Sequence, residues 1–148
     1  MLSEHFSLDE FTASQTATRQ GIKNTPSQAV VENLRMLAAL LEQVRTLLGS
    51  HSIHISSGYR SLALNRHIGS NDTSAHIRGY AADFTCPAFG TPIEAAKEIA
   101  ESNLKFDQLI YESGANPWVH ISCDPQNRRQ LLTARFKDGH TYYTTGIT

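Results

Sequence analysis

One stretch limits the architecture more than any other. Between Ser27 and Gly49, the residues Val30, Val31, Leu34, Leu37, Ala38, Leu41, Val44 and Leu48 recur at spacings of three and four. That period gathers them on one face of a long helix. An apolar stripe of this length needs a second layer to cover it. The helix start is marked by Thr25-Pro26-Ser27-Gln28, a capping hydroxyl followed by proline at the first helical position, where its missing N–H costs nothing. Gly49 suits a left-handed stop. Similar starts at Ser7-Leu8-Asp9-Glu10 and Thr91-Pro92-Ile93-Glu94 predict two more helices, the latter running through Ala95, Ala96, Ile99 and Ala100.

The covering layer is expected to be a sheet. Ile53-His54-Ile55-Ser56 alternates with period two, and residues 81–85, 108–111 and 118–122 are short and apolar-rich. Residues 130–136 and 141–145 flank Lys137-Asp138-Gly139-His140, and Asp-Gly between two such runs signals a hairpin. Helices first, then hairpin-compatible strands, predict an α+β fold with an antiparallel-rich sheet packed against the long helix. At 148 residues, without repeat, linker or low-complexity tract, the chain fits one domain over 1–148.

A net charge of −1 with scattered acids and bases argues against nucleic acid as a partner. No apolar run approaches the roughly 20 residues that span a bilayer, so no membrane partner is expected. The start MLSEHFSLDEF has neither a basic n-region nor an apolar h-region, so a cytoplasmic location until release is expected. Cys86 and Cys123 cannot make a disulfide framework and read as reduced thiols.

The chemistry concentrates in Ser56-Ser57-Gly58-Tyr59-Arg60-Ser61, in Ser74-Ala75-His76-Ile77-Arg78-Gly79-Tyr80-Ala81-Ala82-Asp83-Phe84, and in Trp118-Val119-His120-Ile121-Ser122. His76 falls at a loop end, and Asp83 on a strand beyond Gly79. His120 lies on another strand, sharing a face with Trp118 and Ser122. Gly79, Ala81 and Ala82 are small enough for the backbone to approach whatever His76 and Asp83 hold. Two imidazoles and a carboxylate suit Zn²⁺, and three protein ligands leave a fourth position for water. The same residues also fit a hydrogen-bonded His–Asp pair beside an unrelated strand histidine.

Taken together, SSGYRS, the S-x-H-x-x-G-x-A-x-D block and the downstream W-x-H resemble the LAS group of zinc peptidases. That group comprises D-alanyl-D-alanine carboxypeptidases, D-Ala-D-Ala dipeptidases and phage L-alanyl-D-glutamate endopeptidases, and the likeness runs from about Phe6 to Ser122. The resemblance implies a hedgehog/DD-peptidase-like fold, with Zn²⁺ held by His76, Asp83 and His120. It also implies that Arg60 reaches the substrate, a peptidoglycan stem peptide cut by an endopeptidase or a D,D-carboxypeptidase. A monomer that degrades cell wall, like the endolysins of phage, is expected.

One position departs from the pattern. Many members of the group carry an acid three residues before the last histidine, where this chain has Pro117. Glu112, across a short Gly-Ala-Asn-Pro loop from His120, is the nearest upstream carboxylate and the candidate general base. Without a working base the alternative is a weakened module that binds zinc and wall peptide uncut. His5, His51, His67 and His140 read as surface histidines, and His54 as no ligand. Ser57 and Ser74 either donate to the site or shape turns; Trp118 either walls a cleft or fills the core. A cysteine ligand would close the open position, so Cys86 and Cys123 are left out of the site.

Overall fold

A computed structural model describes residues 1–148. Its helices are α1 (Leu8–Thr12), α2 (Gln15–Gln20), α3 (Gln28–Leu47), α4 (Leu62–His67) and α5 (Pro92–Glu101). Its strands are β1 (His54–Ser57), β2 (Ala81–Thr85), β3 (Gln108–Glu112), β4 (Trp118–Ser122), β5 (Gln130–Lys137) and β6 (His140–Thr145). They form one sheet in the order β1-β2-β4-β3-β5-β6. All neighbours are antiparallel except β3 and β5, which run parallel. The fold is α+β with an antiparallel-rich sheet, as predicted, and contains that one parallel pair.

The stripe on α3 is core as expected. Leu34, Leu37, Leu41 and Val44 are buried in one cluster with Ile99 of α5 and with Phe84, Leu109, Val119 and Ile121 of the sheet. Burying each such side chain contributes about 1.5–3 kcal/mol. The capping boxes at Ser7 and Thr91 are both closed. The α3 start is corrected: Ser27, not Thr25, is the cap, its hydroxyl accepting from the Val30 N–H at 3.3 Å. Pro26 accordingly lies before the helix rather than at its first position. Gly49, at φ +84°, supplies the left-handed stop. The Asp138-Gly139 turn has both residues at positive φ, as a two-residue hairpin requires. No helix is long and apolar enough to cross a membrane.

Strand alternation decides what the other face of the sheet carries. Ala82, Phe84, Val119, Ile121 and Leu109 point toward the helices. Their neighbours along each strand therefore point the opposite way. In register, Ser57, Asp83, His120, Ile110 and Leu132 form one row across that second face. Trp118, Glu112, Ala134 and Tyr143 form a parallel row two residues along. These rows make the floor of the cleft described next.

Candidate metal centre

The three residues proposed from the motif meet. One ligand atom from each of His76, Asp83 and His120 lies within 4.8 Å of the others. They line a cleft of about 430 Å³ together with Arg60 and Glu112. Asp83 and His120 are direct cross-strand partners on β2 and β4. His76 comes instead from a 3₁₀ turn, Ala75–Arg78, where the sequence predicts a loop end. Ser74 caps this turn, its hydroxyl accepting from the His76 N–H.

Hydrogen bonding fixes the state of the His76 ring. Its Nδ1 lies 2.7 Å from the Gly58 carbonyl, which can only accept, so Nδ1 carries the proton. Burial pushes the imidazole pKa down, favouring the neutral ring, although Asp83 pulls the other way. Nε2 is then a lone-pair acceptor, yet it faces Asp83 Oδ1 at 3.4 Å. His120 Nδ1 lies 3.0 Å from the same oxygen. Burial alone would push the Asp83 carboxyl up, yet it is held well below the usual range, as an anion.

Acceptors turned on one another in a buried pocket are compensated by a cation between them. Tetrahedral ligands at 2.0–2.2 Å from zinc stand about 3.4 Å apart, which the observed separations approach. The donor set therefore fits Zn²⁺, with the Gly58 carbonyl orienting a ligand from behind.

Two glycines bracket His76, for reasons of packing rather than close approach to a ligand. A Cβ on Gly58 would lie 2.6 Å from the Phe11 carbonyl oxygen. A Cβ on Gly79, which sits at φ +77°, would lie 2.9 Å from Val30 Cγ1 of α3. Ala82 likewise packs in the core, whereas Ala81, two residues before Asp83, lies on the cleft face. We predict that Gly58→Ala, by displacing the carbonyl that holds His76, lowers zinc affinity about 10–100-fold. Competition against a chromophoric chelator measures this, with circular dichroism to verify the fold; unchanged affinity would refute it.

Arg60 is nearly buried. Its Nε donates to Ser57 Oγ at 3.1 Å and its Nη1 to Asn65 Oδ1 at 3.1 Å, while Nη2 lies 3.5 Å from Asp83 Oδ2. Ser57 thus orients the arginine. Glu112 reaches the cleft through the β3–β4 register. It pairs with Trp118, which makes it the diagonal neighbour of His120 on the same face. Burial and the Asp83 charge push its carboxyl above the ordinary range, against the opposing pull of His120 and Arg60. Trp118 walls this cleft, so the core alternative falls away.

The sequence assigns no role to Asn65 or Tyr143. Asn65 is fully buried, accepting from Arg60 and donating to the Asn71 carbonyl at 2.8 Å. In the sequence it stands directly after Leu62-Ala63-Leu64, and nothing local marks it. Tyr143 enters from β6, across the small, fully buried Ala134 from Glu112. His5, His51, His54, His67 and His140 are all exposed and outside the metal group, as expected. Cys86 and Cys123 are free thiols, also outside it. Burial pushes the Cys123 thiol up to about 12.

A family model described as Peptidase M15 matches residues 4–122. No curated protein matches the chain.

Proposed function

The chain belongs to the peptidase M15 family, and from that premise we propose that it is a zinc metallopeptidase hydrolysing an amide bond in peptidoglycan stem peptides. The observation that carries this reading is the neutral His76 Nε2 facing the Asp83 carboxylate beside His120, an acceptor set that calls for a cation.

In this mechanism His76, Asp83 and His120 hold the ion. Zinc, when bound, supplies the Lewis acidity that polarises a carbonyl and acidifies water. Glu112 takes the proton from the attacking water and returns it to the leaving amine. No protein group hydrogen-bonds its carboxylate, so both oxygens are free for that work. Arg60, held by Ser57 and Asn65, presents fixed positive charge beside the reacting carbonyl as charge develops on its oxygen. Asn65 thereby acts through Arg60 rather than on the substrate.

Digestion of purified peptidoglycan tests the reading. Release of shorter stem peptides is expected, abolished by chelator and restored by Zn²⁺, with product masses identifying the bond. Binding to peptidoglycan without any product would instead support the non-catalytic module suggested by Pro117.

A further inference from the structure

Along the strands, the cleft continues past the metal residues in the direction away from Glu112. Its wall there is made by Arg78, which ends the 3₁₀ turn, and Arg128, which precedes β5. Each is anchored by an acid. Asp107 accepts from Arg128 Nε at 2.9 Å, from its Nη2 at 2.8 Å and from its backbone N–H at 3.1 Å. Arg78 Nη2 lies 3.2 Å from Asp124, and its guanidinium rests over the Tyr80 ring. The exposures are opposite: the Asp107 and Asp124 side chains are 3% and 8% exposed, those of Arg128 and Arg78 48% and 53%. The acids are sunk and the cations surface, so a ligand entering this end meets guanidinium.

Donors remain free. Arg128 spends Nε and Nη2 on Asp107 and keeps Nη1, while Arg78 spends only Nη2. An arginine pinned from below loses little freedom when it binds a planar anion bidentately from above. We infer that Arg78 and Arg128 form a clamp for a carboxylate of the bound peptide, the identification of that ligand as a peptide resting on the peptidase reading.

Distance narrows the class. Asp107 lies three residues before Ile110, the β3 member of the metal row, or about 10 Å along the strand. A carboxypeptidase removing one residue would place the terminal carboxylate only about 4 Å from the scissile carbonyl, beside Arg60 rather than this pair. A clamp at the end of the cleft holds a carboxylate two or three residues away. The substrate class is then an anionic peptide extending beyond the cut bond, as in endopeptidase action.

The test compares binding of two synthetic stem peptides, one with free carboxylates and one fully amidated, by calorimetry with and without Zn²⁺. The proposal expects the free peptide to bind at least about tenfold tighter, with or without metal. That ratio should fall toward one in Arg78→Gln and persist only partly in Arg128→Lys, which keeps a charge over Asp107. Equal affinities in the unaltered protein, or a preference surviving intact in both variants, would overturn the clamp, as would binding of neither peptide. Selective binding of the free peptide without any cleavage would keep the clamp and remove the peptidase reading. A preference that appears only with Zn²⁺ would assign the carboxylate to the metal and overturn the clamp.

Discussion

Replacing Glu112 by Gln is expected to lower turnover about 10²–10⁴-fold while leaving bound zinc unchanged. The size of the loss is that of a positioned general base. The amide matches the carboxylate in shape but cannot take a proton from water. Zinc should remain because the three clustered donors, His76, Asp83 and His120, do not include Glu112. The fold should also hold, since no hydrogen bond or ion pair of the protein ends on this side chain. No other acid nearby is free to substitute: Asp83 is surrounded by two imidazoles and Arg60, while Asp107 and Asp124 are engaged by arginines. Single-turnover digestion of a stem peptide, paired with metal analysis of the same sample, decides the matter. Turnover within a few-fold of the unaltered protein would remove Glu112 from the mechanism.

Glu112 also illustrates what local pattern can and cannot carry. Its candidacy came from elimination, because Pro117 occupies the place where an acid was expected. The reason it belongs in the cleft is the β3–β4 register, which no local window displays. The long helix was plain because eight apolar residues kept a helical period. Its first residue slipped because Thr25 and Ser27 are both competent caps and Pro26 is equally at home just outside a helix. α2, α4 and the 3₁₀ turn at His76 are too short to show a period. The parallel β3–β5 pair joins segments separated by an intervening strand, so alternation alone could not reveal it. The same holds for side chains in the cleft. His76, Asp83 and His120 carried a motif, whereas Tyr143 and Arg128 reach it only through a pairing made far from the motif in sequence.

Zinc itself should change the stability of the fold, and more than any single contact does. His76 Nε2 and the Asp83 carboxylate are buried 3.4 Å apart, so an ion held between them adds stability only to the folded chain. A ligand that binds only the folded chain stabilises it by about 4.1 kcal/mol at a thousandfold excess over its Kd. For a chain of this size each kcal/mol raises Tm by about 2–4 °C, so saturating Zn²⁺ is expected to raise it by about 8–16 °C. Ca²⁺ and Mg²⁺ should do far less, because they favour all-oxygen shells over imidazole nitrogen. In His120→Ala the donor set loses one of its three members, and the zinc-induced shift should fall to a small fraction of that value. Catalysis should be lost with it. The melting curves separate two accounts of the cluster. If the residues formed only a hydrogen-bonded His–Asp arrangement, Zn²⁺ would leave Tm unchanged in the unaltered chain. A full shift retained in His120→Ala would place the ion at other residues and sever it from the cleft that Glu112 and Arg60 share.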